Sequence, residues 1–322
     1  MTTDLLTRPD ARLWTPENLE ILDDVTRREF LAGLAAAGLL AGCGTGGPAG
    51  PDTGAAAGTR RIDTPLGPVE VPAVARRVAA MNYFGPIAFD LGAPLVTRSQ
   101  FPLSWKQDDP RYTGLPVADT ADEVALPEQL LLARPDVILA LTFQVDGVRD
   151  EVARIAPIVE VPDEFGNDWR AMWRMTAQAC GLDPVDQRLS DIETRAAQLG
   201  AVGSAAILRP RPDGQFRVYR PNSFCGELLD LAGFDLLRLD PDEPTGVFAT
   251  LAAENLDEIQ AARIFVWTTD ANAKDGADLS TNPLWARLPA VEAGQVHVVG
   301  EHWIGYDVES VDLILADVAR AV

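Results

Sequence analysis

The chain has 322 residues, of which 47% are hydrophobic and 23% charged, and it carries a net charge of −21. This length suits two domains or one large bilobed unit, and the composition excludes a disordered, collagenous or coiled-coil protein. The negative charge argues against nucleic-acid binding, because so acidic a chain repels polyanions. Two histidines and three cysteines are too few for a zinc ribbon or a multi-histidine site, so we expect no directly bound metal.

The first 42 residues have the features of an export signal. Arg27 and Arg28 precede a short apolar run rich in Ala, Gly and Leu, which leads into Leu-Ala-Gly-Cys ending at Cys43. The paired arginines resemble the twin-arginine export motif, and Leu-Ala-Gly-Cys resembles the lipobox of bacterial lipoproteins. An apolar run of about a dozen residues is too short to span a bilayer but suits a signal peptide. We therefore predict a signal peptide over 1–42 and lipid attachment at Cys43.

The residues on either side of this signal bear on the export route and on where the protein is located. The segment ahead of Arg27 is acidic, whereas export signals usually begin with a basic region, so twin-arginine export and general secretion both stay open. Gly, Ala, Pro, Thr and Asp dominate after Cys43, which predicts a flexible tether up to residue 59. We expect the protein outside the cytoplasm, held at the bacterial cell membrane by its lipid. A disulfide between Cys180 and Cys225 is permitted there, but their apolar helical patterns favour two free buried thiols.

From residue 60 onward, short apolar runs alternate with amphipathic segments, which predicts an α/β protein. The pattern predicts one α/β lobe over 60–165, a bridging helical segment over 166–203 and a second α/β lobe over 204–322. The predicted strands are 78–81, 95–97, 137–141, 158–161, 216–219, 236–239, 264–268 and 296–299. The predicted helices are 84–91, 127–133, 148–155, 169–180, 185–199, 226–231, 253–261 and 308–321.

Three stretches of the chain carry a family resemblance. They are TPLGPVEVPAVARRVAAMNYFGPIAFDLGA, LPEQLLLARPDVILA and TNPLWARLPAVEAGQVHVVG. With them, residues 60–322 resemble class III substrate-binding proteins of ABC importers for ferric siderophores, haem and cobalamin. The resemblance implies two Rossmann-like lobes bridged by a long rigid helix, a ligand between the lobes, and delivery to an ABC permease and its ATPase. It implies a monomer that binds without catalysis and needs no cofactor.

The resemblance also implies one docking carboxylate in each lobe, to pair with arginines of the permease. By motif position these are Glu128 and Glu254, each at the start of a predicted helix. A carboxylate there is stabilised by the helix dipole and offers an exposed bidentate partner to arginine. The alternative for each is a solvated surface charge.

Aromatic and cationic residues follow the ends of the predicted strands, where α/β proteins bind ligands. The candidates for ligand binding are Tyr83, Arg98, Trp105, Phe143, Tyr219, Arg220, Trp303 and Tyr306. Lys106 and Arg111 are further cationic candidates. Core packing is the alternative for each ring, but their concentration at strand ends favours a ligand cleft. The sequence contains no Gly-x-Ser-x-Gly, no Gly-rich phosphate loop and no His-Glu-x-x-His, which favours binding over catalysis.

The charges of the chain and of the candidate ligands bear on which class of ligand the protein binds. A ferric tris-catecholate, with about three negative charges, calls for several arginines in the cleft and is disfavoured by an acidic protein. The sparse arginines of the predicted cleft therefore favour a ferric siderophore of hydroxamate or mixed type. A catecholate, cobalamin and haem stay open, the last because Tyr306 near His302 offers an axial ligand. An extracytoplasmic enzyme and a sensor subunit without transport function are the alternatives from other classes.

Overall fold

The structure is a computed structural model. It describes residues 58–99, 106, 108–122, 124–163, 167–211, 214–239, 246–267, 279 and 282–322. The predicted export residues Arg27 and Arg28, the predicted lipid site Cys43 and the ligand candidate Trp105 lie outside the described residues. None of the helices in the described ranges combines the length and the apolar character needed to cross a bilayer.

The first lobe, as we use the term, comprises an opening hairpin, a small parallel sheet and the helices around them. The sheet has the order β3-β6-β7, and its strands are almost fully buried, as expected of parallel strands covered on both faces. The strands are β1 (Thr59–Thr64), β2 (Gly67–Pro72), β3 (Val78–Ala80), β4 (Arg98–Ser99), β5 (Val117–Ala118), β6 (Val137–Leu141) and β7 (Ile158–Val161). The helices are α1 (Phe84–Asp90), α2 (Pro110–Thr113), α3 (Ala125–Ala133) and α4 (Arg149–Val152).

Two helices connect the lobes, α5 (Trp169–Cys180) and α6 (Asp186–Gln198), where the sequence predicts them. Asp168 caps α5 by accepting a hydrogen bond from the amide of Ala171 at 2.9 Å, which satisfies one of the free amides of the first turn. Gly181 ends α5 in the left-handed conformation, with φ of 69°. The bridge is therefore two helices in series with a turn between them.

The second lobe comprises a mixed six-stranded sheet and its helices. The main order of the sheet is β11-β9-β8-β12-β13, and β10 pairs with the start of β8. The strands are β8 (Ser204–Pro210), β9 (Gln215–Tyr219), β10 (Asp235–Leu236), β11 (Phe248–Ala252), β12 (Arg263–Trp267) and β13 (Val296–Val299). The helices are α7 (Phe224–Ala232), α8 (Pro289–Glu292) and α9 (Val308–Ala321).

The sequence patterns do not predict β8 or β11, and the helix predicted over 253–261 is wrong. β8 holds the centre of the sheet, but its apolar run is only four residues long and begins with two alanines, which favour helices over strands. Residues Ala253–Glu258 form 3-10 turns, with non-helical backbone angles at Asn255.

One hydrophobic core extends through both lobes. It includes Phe84 of the first lobe, Trp173 of α5, and Phe224 and Val311 of the second lobe, all fully or almost fully buried. Cys180 and Cys225 belong to this core as free thiols, as the sequence predicts. Because the lobes share packed side chains instead of meeting across solvent, their relative orientation is held by the core.

We expect the Gly181→Ala variant to lose more stability than the Gly200→Ala variant. Both glycines have a left-handed backbone, but a Cβ at Gly181 would lie 2.5 Å from the carbonyl oxygen of Ala73, whereas a Cβ at Gly200 meets nothing within 4 Å. Left-handed strain alone costs about 1–2 kcal/mol, and the clash should add about 1–3 kcal/mol. Chemical denaturation of both variants measures the difference, and equal losses would contradict the close approach.

Candidate ligand-binding site

Aromatic rings from both lobes meet at the ends of the strands. Tyr83 follows β3, and its ring centroid lies 4.6 Å from that of Tyr306. Tyr306 in turn stacks on Phe224, with centroids 4.8 Å apart. Trp173 of the bridging helix donates its indole N–H to the carbonyl of Tyr306 at 2.6 Å. Tyr306, predicted from sequence as a ligand residue, therefore lies between the two lobes.

Two arginines that the sequence analysis missed lie on the second-lobe side of these rings. Arg209 lies near the end of β8, with its guanidinium carbon 3.8 Å from the centroid of the Trp267 ring. Arg217 on β9 lies similarly over Phe248, at 4.2 Å. Tyr219 lies between the two aromatic rings, 5.8 Å from Trp267 and 6.0 Å from Phe248. These five residues form the arginine cluster, in which each guanidinium rests on an aromatic face.

The arginine cluster is electrostatically linked to Tyr83 across the lobes. Burial raises the pKa of the Tyr83 phenol, while the positive charges of Arg209 and Arg217 lower it. Burial also raises the pKa of Tyr219, which forms a hydrogen bond with Arg209. Burial lowers the pKa of Arg209, but arginine stays protonated in proteins. A chain with net charge −21 thus concentrates positive charge here.

Three buried polar atoms near these strand ends have no hydrogen-bond partner among the described residues. They are Nε of Arg209, Nε1 of Trp267 and Oδ1 of Asn82, the residue before Tyr83. Arg209 and Trp267 lie at the ends of the adjacent parallel strands β8 and β12. A buried donor without an acceptor costs about 1–3 kcal/mol. A ligand rich in acceptor oxygens would relieve that cost for both donors.

Three other predicted ligand residues differ in their exposure and in their contacts. Phe143 follows β6 and leaves 56% of its surface exposed. Arg98 lies in β4 and is partly buried. Arg220 follows β9, and its guanidinium donates to the carbonyl of Gly246 at 3.3 Å, which ties two loops together. A ligand role for Phe143, Arg98 and Arg220 stays a prediction.

Trp303, also predicted to line the cleft, packs inside the core, and a ligand role for it stays a prediction. Its side chain is fully buried, its indole N–H donates to Asp317 at 2.8 Å, and its ring packs 4.9 Å from Phe265. The 3-10 turn Glu301–Ile304 after β13 directs the ring into the core. His302, whose position near Tyr306 keeps haem open as a ligand, is also engaged, with Nε2 2.8 Å from Asp317.

The two further cationic candidates are also engaged elsewhere. Lys106 is buried in an ion cluster with Asp90, and Arg111 pairs with Asp109 at 2.6 Å on the surface. The signal that identifies Arg209 instead is its position after the apolar run of β8. Arg209 can be predicted from this position only if β8 is first identified as a strand.

The predicted docking residues are both exposed. Glu128 lies in the first turn of α3, and Glu254 lies in the 3-10 segment after β11. Val124 and Leu132, near either end of α3, are 86% and 82% exposed. An exposed apolar flank of this kind marks interaction surfaces more often than isolated apolar residues do.

Comparison with known proteins finds a family model described as periplasmic binding protein, which matches residues 87–302. The chain is 27% identical over 195 residues to the probable siderophore-binding lipoprotein YfiY of Bacillus subtilis (strain 168), a match that covers 54% of this chain and 58% of that protein. It is 24% identical over 213 residues to the achromobactin-binding periplasmic protein of Dickeya dadantii (strain 3937), with coverage of 60% and 68%. The chain thus spans little more than half the length of the Bacillus relative.

Solved structures share the fold. Staphylococcus aureus SirA complexed with staphyloferrin B has a TM-score of 0.66 and 20% identity, over 82% of this chain and 98% of that one. The FhuD protein from S. pseudintermedius has a TM-score of 0.67 and 18% identity, over 82% and 98%. At this level of identity the likeness shows the fold alone, which is that of the two-lobed periplasmic binding proteins.

Proposed function

The chain belongs to the periplasmic binding protein family, and from that premise we propose that it is the extracytoplasmic solute-binding lipoprotein of an ABC importer. It holds a ferric siderophore between its lobes and delivers it to the permease and its ATPase. The observation that carries the proposal is the arginine cluster, with its two unpartnered buried donors at the junction of the lobes. The names of the Bacillus and Dickeya relatives support the same ligand class.

The site geometry favours a ferric chelate that carries negative charge. The composition argument for a hydroxamate assumes few arginines at the cleft, but Arg209 and Arg217 lie there together with the phenols of Tyr83 and Tyr219. A planar guanidinium pairs well with the paired oxygens of catecholate or carboxylate groups. We therefore place an anionic chelate first and keep the hydroxamate as the alternative. Haem ranks lower, because His302 is bonded to Asp317.

A fluorescence titration of the full chain tests this proposal. Trp267 lies under Arg209, so a ferric chelate bound there should quench tryptophan emission saturably at micromolar concentration or below. The panel comprises ferric enterobactin, ferric citrate, ferrioxamine, haemin, cobalamin and the iron-free chelators. Quenching by an anionic ferric chelate supports the proposal. Quenching by ferrioxamine alone contradicts the charge argument, and silence across the panel contradicts siderophore binding.

Replacing Arg209 with Gln should weaken the binding of the anionic ferric chelate by about 10- to 100-fold, because a charge-assisted hydrogen bond contributes about 1.5–3 kcal/mol. The control is Arg61→Gln, which makes the same change in net charge at an exposed position of the opening hairpin. Titration of both variants with the same chelate compares them. Equal weakening would mean that the chelate responds to overall charge and not to the arginine cluster.

Reversing the charge at the docking residues should impair delivery without affecting ligand affinity. We expect Glu128→Lys or Glu254→Lys to reduce uptake of the labelled ferric chelate several-fold and the double variant to abolish it, because each lysine repels a permease arginine. Glu151→Lys, at another exposed acid of the first lobe, is the control and should transport normally. Normal uptake by the double variant would favour a sensor subunit over a transport receptor.

A further inference from the structure

A buried lysine joins the two lobes away from the arginine cluster. The side chain of Lys106 is 1% exposed, and its ammonium lies 2.6 Å from Asp90, 3.0 Å from Glu309 and 3.3 Å from Asp307. Asp90 ends α1 of the first lobe, whereas Asp307 and Glu309 stand at the start of α9 of the second. We call these four residues the lysine cluster. A buried charge needs such partners, because losing its hydration is expensive.

The lysine cluster fixes the first turn of α9 against the first lobe. The amide of Glu309 donates to Asp90 at 2.9 Å. The carboxylate of Asp307 caps the helix by accepting from the amide of Ser310 at 3.1 Å and from its hydroxyl at 2.7 Å. Asp307 therefore has two roles, as the N-cap of α9 and as a partner of Lys106.

The residue before Asp307 is the ligand candidate Tyr306. Its backbone is left-handed, with φ of 63°, a conformation that costs a residue other than glycine about 1–2 kcal/mol. Such strain persists only where neighbouring contacts hold it. On one side the hydrogen bond from Trp173 holds the carbonyl of Tyr306, and on the other side the chain enters the lysine cluster directly.

We propose that Lys106 is a positioning residue of the ligand site, which joins Asp90 to Asp307 and thereby holds the ring of Tyr306 between the lobes. This inference rests on the proposed role of Tyr306 in ligand binding. Without the ammonium, Asp90, Asp307 and Glu309 lose the cation that they share. The first turn of α9 then moves away from α1, and Tyr306 loses one of the two contacts that fix its backbone.

The protonation of Asp307 provides a readout that a purely structural lysine would not give. Burial and the neighbouring carboxylate of Asp90 raise the pKa of Asp307 to about 7. Because the folded state binds this proton more tightly than the unfolded state does, the cluster is tightest at acidic pH and loosens as the pH rises through 7. The other charged side chains facing the cluster or lining the groove beside it are Asp109, Arg111, Arg188 and Asp312.

Hydrogen exchange of the ligand-free full chain, read by mass spectrometry, tests the proposal. In Lys106→Met we expect amides of the segment 306–311 to exchange at least about tenfold faster than in the wild type, with peptides of β8 unchanged. Arg111→Met is the matched control, because Arg111 contacts the same Phe89 ring as Lys106 but pairs with Asp109 outside the cluster. It should exchange like the wild type. Equal effects of the two variants, or none in Lys106→Met, would overturn the proposal.

A pH comparison with Asp307→Asn completes the test and remains decisive if Lys106→Met does not fold. Asparagine keeps the helix cap but cannot ionise. After correction for intrinsic rates, the wild-type segment should exchange faster at about pH 8.5 than at about pH 6, whereas Asp307→Asn should show no such change. A pH response retained in Asp307→Asn would contradict the assignment.

Ligand affinity separates this inference from the proposed function. For a ferric chelate that quenches the wild type, Lys106→Met should weaken binding about fivefold or more, and Arg111→Met should not. Unchanged affinity in Lys106→Met would overturn its positioning role. If no chelate of the panel binds the wild type, the proposed function fails, and the exchange experiments alone decide whether Lys106 holds Tyr306.

Discussion

The packing of Tyr306 between the lobes is the contact on which the rest of this structure depends. Its ring lies against Tyr83 from one side and Phe224 from the other, and its carbonyl accepts the indole N–H of Trp173. These contacts extend the hydrophobic core across the cleft, so the lobes behave as parts of one packed body.

Positive charge is concentrated at the junction of the lobes. The chain is acidic overall, yet Arg209 and Arg217 lie together on aromatic faces beside two phenols. Stacking on Trp267 and Phe248 limits the rotational freedom of the guanidinium groups before any ligand arrives. Less entropy is then lost on binding, which is how a preorganised site gains affinity. The unpartnered Nε of Arg209 is a cost in the free protein that the proposed oxygen-rich ligand would remove.

The elements that the sequence predicts well are those with a clear periodicity. α5 and α9 follow from apolar residues at helical spacing after capping aspartates, and β6 follows from its apolar run between two helices. β8 lacks such a signal, because its apolar run is only four residues long and begins with two alanines, which are rare in strands. Arg209 is therefore not predicted, whereas Arg217 lies in the predicted strand 216–219 and its contact with the distant Phe248 ring is not visible in the sequence.

Residues at strand ends show the other limit of sequence reasoning. Tyr83 and Tyr306, both of which follow predicted strands, meet between the lobes, and their ligand role stays a prediction. Trp303 also follows a strand, but a 3-10 turn after β13 directs its ring into the core toward Phe265, which its position in the sequence does not indicate. Lys106 and its partners Asp307 and Glu309 are some 200 positions apart in the sequence. No local pattern reveals a contact of that kind.

A crystal structure of the full chain with its ferric chelate, recorded at the iron absorption edge, tests the central claim most directly. The account predicts an anomalous iron peak at the junction of the lobes, with chelate oxygens within hydrogen-bonding distance of Arg209 and one of the phenols, Tyr83 or Tyr219. An iron peak outside this junction, with Arg209 contacting no ligand atom, would contradict the assignment of the site.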